Sequence, residues 1–104
     1  MNNNLTMNCK RQDNTIITEL TGDLDISSSP KFTEKIEKEF DEENANLVFD
    51  MGNLNYIDST GLGSFITLYR KVKDTDFTID LINVKPSIKK IFTITELDKV
   101  FRID

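Results

Sequence analysis

One stretch decides the fold of this chain: Asp58-Ser59-Thr60-Gly61-Leu62-Gly63. It follows a short apolar run and precedes an amphipathic segment, so it marks the point where a strand gives way to a helix. An Asp or Ser here caps the helix by accepting backbone N–H bonds, and the glycines permit a sharp turn. Free N–H groups and the helix dipole favour negative charge at such a point. We therefore predict that the Ser59 hydroxyl is a site for a phosphate, which is either bound there or covalently attached.

The residues on both sides of this stretch predict its two neighbours. Residues 47–49 form a continuous apolar run, typical of a strand that is covered on both faces, and residues 50–55 are its predicted exit loop. After the stretch, apolar residues recur with a helical period up to residue 72. They are Leu62, Phe65, Ile66, Tyr69 and Val72.

The rest of the chain alternates between strands and helices. Residues 5–10 and 15–21 predict a hairpin, and residues 77–82 predict a later strand. A helix is predicted to start at residue 30, with Ser29 as the N-cap and Pro30 at the first helical position. Pro86 opens another helix, and a short turn with a final packing segment closes the chain. The order β-β-α-β-α-β-α indicates an α/β fold with a mixed or mostly parallel sheet.

Length and charge limit the classes of partner. The 104 residues fit one small domain over residues 1–104, with a core from about residue 5 to residue 103. The net charge of -5 argues against nucleic acid and against anionic membranes as partners. No apolar stretch approaches the ~20 residues that a membrane helix needs, and no signal-peptide pattern opens the chain. With one cysteine, Cys9, no internal disulfide can form, so we expect a cytoplasmic protein.

Composition also argues against catalysis. The chain has no histidine, which removes Ser-His-Asp and Cys-His mechanisms, and a single cysteine cannot build a zinc site. The glycines at 61 and 63 lack the lysine of a nucleotide phosphate loop. We therefore expect no catalytic residues, no metal and no cofactor.

The residues after the second strand resemble a calcium-binding loop in the spacing of their oxygen ligands, but they lack residues that such a loop needs. Ser28 stands where such a loop needs a glycine for its turn, and Pro30 follows two positions later. The acidic residues are therefore expected to serve the turn. The oxygen ligands of the imitation would be Asp23, Asp25, Ser27 and Glu34.

The turn that holds Asp23 and Asp25 is predicted to lie beside Ser59. In an α/β sheet, loops at the carboxyl ends of strands gather at one edge, so residues 22–29 and 58–63 become neighbours. This arrangement would place a hydroxyl between carboxylates. An isolated Asp-Ser-Thr-Gly would be interpreted as a simple helix cap, but the second acidic turn favours a functional surface.

These residues together resemble the STAS-domain anti-sigma factor antagonists of bacteria. The resemblance rests on residues 20–25, 30–32 and 58–63, and it extends from about residue 5 to residue 103. It implies a small mixed sheet with helices packed mainly on one face. In that family, a partner anti-sigma factor that is a serine kinase phosphorylates the serine directly after the Asp, and a metal-dependent phosphatase reverses the reaction. The unphosphorylated form binds the anti-sigma factor and so frees the sigma factor.

For this chain, the resemblance implies that Ser59 is phosphorylated, with Thr60 as the alternative acceptor. ATP and magnesium would belong to the partner kinase, and the free protein is expected to be a monomer. The implied partner-binding residues are Asp23, Asp25, Asp58, Ser59, Thr60, Gly61, Leu62 and Gly63.

Two other functions stay open at this point. The first is a STAS-like scaffold or ligand-sensing module of a stress or transport complex that is never phosphorylated. The second is a small α/β enzyme with Ser59 as nucleophile, against which the missing histidine and the lack of a lysine close to Ser59 in sequence both argue.

Overall fold

Five strands form one mixed sheet in a computed structural model, which describes residues 4–104. The strands are β1 (Leu5–Gln12), β2 (Thr15–Leu24), β3 (Asn46–Ile57), β4 (Ile79–Ile82) and β5 (Arg102–Ile103). The helices are α1 (Ser29–Glu42), α2 (Ser59–Val72) and α3 (Pro86–Ile94), and a 3-10 turn follows at Leu97–Lys99. Residues 1–3 lie outside the described residues. The predictions that the domain begins at residue 1 and that the N-terminus is not a signal peptide fall on these residues.

The three helices cover the same face of the sheet. Strand order along the sheet equals strand order along the chain; β1 and β2 are antiparallel, and all later neighbours are parallel. Because right-handed crossovers that step in one direction all pass over the same face, α1, α2 and α3 share a side. Burial agrees, since Ile16 and Leu20 of β2 are buried while Ile17 and Glu19 are only half-buried. The predicted mixed sheet with helices on one face is confirmed.

Aromatic rings centred on Phe65 of α2 fill the space between helices and sheet. The centroid of the Phe65 ring lies 5.4 Å from that of Phe32 in α1 and 5.3 Å from that of Phe49 in β3. Phe92 of α3 and Phe101 lie at 5.8 and 6.1 Å. The contacts are edge-to-face, which adds to the stabilisation that burial gives. One side chain therefore connects all three helices to the sheet.

The predicted exit loop at residues 50–55 is wrong, because β3 continues to Ile57. Two shifts of register occur where β3 pairs with the second half of β2. The Asn and Gly residues that suggested a loop therefore belong to an irregular, bulged strand pair. As a result, β2 and β3 end side by side at Leu24 and Ile57, which pair with each other.

Three smaller predictions also need correction. The N-cap of α1 is Ser28 and the helix begins at Ser29, one residue earlier than predicted. The strand predicted from residue 77 begins at Ile79, because the N–H of Thr78 donates to the Asn46 side chain at 3.0 Å. The predicted order β-β-α-β-α-β-α lacks the last strand, β5, which at two residues is too short to show a period.

None of the helices in residues 4–104 is long and apolar enough to cross a membrane.

Candidate functional site

The first turn of α2 is capped by Asp58, as its sequence predicts. The backbone of Asp58 is extended, and its Oδ1 accepts a hydrogen bond from the Gly61 N–H at 2.9 Å. Ser59 is the first helical residue, and both Ser59 and Thr60 are exposed. The predicted phosphate acceptor therefore lies on the surface at a helix start, where the dipole favours negative charge.

A second loop, the acidic turn (residues 23–28), lies directly against this helix start. Asp58 Oδ2 accepts a hydrogen bond from the Ile26 N–H at 3.1 Å, and the Asp58 N–H donates to the Leu24 carbonyl at 3.3 Å. The two oxygens of one carboxylate thus accept one N–H group from the first turn of α2 and one from the acidic turn. The predicted proximity of residues 22–29 and 58–63 is confirmed.

Hydrogen bonds inside the acidic turn fix its shape. The buried Ser28 hydroxyl donates to the Asp23 carbonyl at 2.9 Å and accepts from the Asp25 N–H at 3.0 Å. Asp25 Oδ1 accepts from the Ser27 hydroxyl at 2.7 Å and from the N–H groups of Ser27 and Ser28 at 3.0 and 3.1 Å. These bonds, the Ser27 hydroxyl first, hold the pKa of Asp25 below its ordinary value, although desolvation acts in the opposite direction. The turn therefore presents a fully charged carboxylate at neutral pH.

The two glycines of the helix start have different roles. Gly61 is buried, and a Cβ there would lie 2.5 Å from the Leu24 carbonyl oxygen and 2.8 Å from Ile57 Cγ1. At Gly63, an added Cβ would meet no atom within 4 Å in the described part of the chain. Gly61 therefore shapes the site from beneath by letting α2 approach β2, while Gly63 and Leu62 are half-buried at its side.

The buried face of α2 is rotated from the predicted one. Leu62, Ile66 and Tyr69 of the predicted stripe are half-buried. Two of the buried residues, Gly61 and Ser64, are small and are not counted by an apolar pattern, and Gly61 lies where the helix comes close to β2. The buried residues are Gly61, Ser64, Phe65, Leu68 and Val72.

Two apolar side chains near Ser59 were not predicted as site residues. Ile26, at the tip of the acidic turn, is 73% exposed, and Tyr56, which pairs with Asp23 between β3 and β2, is 50% exposed. Single exposed apolar residues are common on protein surfaces, but these two lie on the strand and the turn that adjoin Ser59, which makes them candidates for contact with a partner. A signal for Ile26 exists in the sequence, because it is an apolar residue in a polar turn, with Asp25 before it and three serines after it.

No group of three or more side chains that could hold a metal ion occurs in residues 4–104. The Asp25 oxygen that a calcium loop would use is instead bound within the acidic turn.

The chain belongs to the STAS domain family, whose model matches residues 6–104. It is similar to the anti-sigma-B factor antagonist of Bacillus subtilis (strain 168), with 30% identity over 100 residues that cover 96% of this chain and 91% of the relative. The predicted resemblance to this family is confirmed.

Two solved structures show how widely the fold is used. The anti-sigma factor antagonist SpoIIAA in its unphosphorylated form matches with a TM-score of 0.73 at 19% identity, over 91% of this chain and 97% of its own. The murine anion transporter Slc26a9 matches with a TM-score of 0.72 at 16% identity, over 86% of this chain but 16% of the transporter. The fold therefore serves both a free-standing regulator and one part of a transporter.

Proposed function

We propose that this protein is an anti-sigma factor antagonist and that phosphorylation of Ser59 switches it off. The observation that carries the proposal is the exposed Ser59 hydroxyl on the first turn of α2, beside the acidic turn. Support comes from the similarity to the Bacillus subtilis antagonist along nearly the whole chain, and from SpoIIAA, a fold relative that exists in a phosphorylated form. Unphosphorylated, the protein binds a serine-kinase anti-sigma factor and releases the sigma factor; a serine phosphatase restores this form.

The chemistry of the switch follows from where the phosphate would stand. The kinase holds ATP and magnesium. The γ-phosphoryl group of the ATP passes to Ser59 Oγ as its bond to the bridging oxygen of ADP breaks, the Ser59 hydroxyl proton passes to a base of the kinase, and ADP is released. The product adds about -1.5 to -2 charge next to Asp58. It would also face the nucleotide phosphates of the kinase, and burying it unpaired there costs several kcal/mol. The helix start tolerates the charge, so binding is lost while the fold is kept.

Phosphate transfer tests the proposal directly. The protein, Ser59→Ala and Thr60→Ala are incubated with ATP and each serine-kinase anti-sigma factor encoded in the same genome, and intact mass and site mapping follow. One added phosphate on wild type and Thr60→Ala, absent from Ser59→Ala, is the expected result. A phosphate lost only in Thr60→Ala would move the site to Thr60.

A non-phosphorylated scaffold is the second candidate, and the match to a transporter segment is the observation that favours it. Binding of a partner without any phosphate transfer would support that function. The enzyme alternative is not favoured by the bonding of Asp58, the nearest carboxylate in sequence, because its two oxygens serve as the cap of α2 and as the link to the acidic turn.

A further inference from the structure

We propose that Ile26 is an apolar anchor of the partner interface and that Asp58 holds it in position; this inference rests on the proposed function. Ile26 is the most exposed of the large apolar side chains in residues 4–104. Its backbone, however, is fixed, because its N–H is bound by Asp58 and the rest of the turn is closed by Ser28 and Asp25.

A fixed backbone makes an exposed side chain a better contact. Ordering a loop on binding reduces affinity, and a turn that is already ordered avoids most of that loss. Residues that dominate interfaces are large groups that enter a desolvated hollow of the partner. The Ile26 side chain is exposed enough to enter such a hollow. The bond from its N–H to Asp58 also fixes its position beside Ser59.

The charges around Ile26 define the surface that it fits. Asp23 and Asp25 are half-buried carboxylates on the same turn, and the low pKa of Asp25 keeps it ionised. The complementary surface is an apolar hollow with lysine or arginine on the side that meets these carboxylates. Where the kinase surface faces Ser59, it carries the bound nucleotide. A phosphate added to Ser59 would therefore face the negative charge of that nucleotide.

A pair of equally exposed isoleucines tests the anchor. Ile94, at the end of α3, is 69% exposed and so matches Ile26 in chemistry and exposure but not in place. With the kinase that phosphorylates Ser59 as the probe, we expect Ile26→Ala to raise the Kd at least about tenfold and Ile94→Ala to raise it less than about twofold. Equal effects of the two variants, or no effect of Ile26→Ala, would overturn the anchor.

The role of Asp58 is tested on the isolated protein. Asparagine has one acceptor oxygen and remains a good N-cap, so Asp58→Asn should keep the Gly61 bond and release the Ile26 N–H. Amide exchange at Ile26 should then rise about tenfold, and the Kd for the kinase should rise with it. The control is Asp13→Asn, which removes the same charge at a positive-φ position that asparagine tolerates.

The two readouts separate the two proposals. Unchanged exchange at Ile26 in Asp58→Asn would overturn the positioning role whether or not any partner binds. Faster exchange with an unchanged Kd would show that fixing Ile26 does not serve binding. If the wild-type protein binds no anti-sigma kinase, the proposed function fails first, and the anchor fails with it.

Discussion

Asp25 accepts hydrogen bonds from the Ser27 hydroxyl and from the N–H groups of Ser27 and Ser28. These donors favour the charged carboxylate, so the pKa in the folded protein is lower than the ordinary value of 3.8. By linkage, the stability that Asp25 contributes is fully present above that ordinary value and is lost as the pH falls through the lower, folded pKa. At neutral pH the acidic turn therefore combines a fixed shape with a fixed charge.

Removing the strongest donor should move this pKa. In Ser27→Ala, the pKa of Asp25 is expected to rise towards 3.8, because the hydroxyl is the largest of the influences that lower it. Ser27→Thr keeps a hydroxyl and should keep the low value. NMR titration of the Asp25 carboxyl carbon through the acid range measures both variants. An identical pKa in wild type and Ser27→Ala would contradict the assignment.

At the scale of elements, the position of α2 depends on the absence of a side chain at one residue, Gly61. Gly61 has no side chain to hold the helix away from the Leu24 carbonyl and from Ile57. The approach brings the end of β2 and the start of α2 close enough for Asp58 to bond to Ile26. The packing of one helix against one strand thus forms the site.

Two glycines in the first turns of the same helix should respond in opposite ways to alanine. Gly61→Ala is expected to destabilise the protein by about 1–3 kcal/mol, because its Cβ would overlap backbone, and this outweighs the helix propensity that alanine adds. Gly63→Ala should stabilise it by about 0.5–1 kcal/mol, since nothing lies near its Cβ. Urea unfolding gives both values. Stabilisation by Gly61→Ala would show that the helix does not need this approach.

Local sequence patterns predicted the strand, turn and helix around Ser59 because capping residues and a helical period act within a few residues. They failed where a neighbour decides the structure. β3 is extended by its pairing with β2, and β5 exists only because β4 is beside it. The exposed place of Ile26 was missed for the same reason, since the bond that fixes it comes from a residue 32 positions away.

At the scale of the whole molecule, the Phe65 side chain is the contact that the helices and the sheet share. Its ring contacts Phe32, Phe49, Phe92 and Phe101, so it joins α1, β3, α3 and the C-terminal segment. In a small domain, whose total stability is about 5–15 kcal/mol, one such contact set is a large share.

Truncating this ring should affect stability far more than truncating a peripheral one. Phe65→Ala is expected to lower the free energy of unfolding by about 3–5 kcal/mol, through lost burial and the cavity that remains. Phe77 is half-buried and its ring contacts Phe40 at 6.0 Å, so Phe77→Ala should cost about 1 kcal/mol. Thermal and urea unfolding would compare them. Similar losses in the two variants would refute the central role of Phe65.

The proposed switch also belongs to this scale, since it predicts a change in binding without a change in fold. Ser59→Asp should leave the free energy of unfolding the same or raise it by about 0.3–1 kcal/mol, because the charge suits the helix start. The affinity for the anti-sigma kinase should fall at least about tenfold, whereas Ser59→Ala should bind as wild type does. Calorimetry on the same samples provides both numbers. Tight binding by Ser59→Asp would exclude a switch by charge.

The order of the strands, which is the order of the chain, bears on how the protein is made. As the chain leaves the ribosome, each new strand finds its partner already present, so the sheet can grow from its N-terminal edge. The apolar face of β2 and β3 is covered in part by α1 and stays incompletely covered until Phe65 emerges with α2. We therefore expect nascent chains to become resistant to protease only after α2 has emerged, and resistance before that point would show that the early strands and α1 are stable alone.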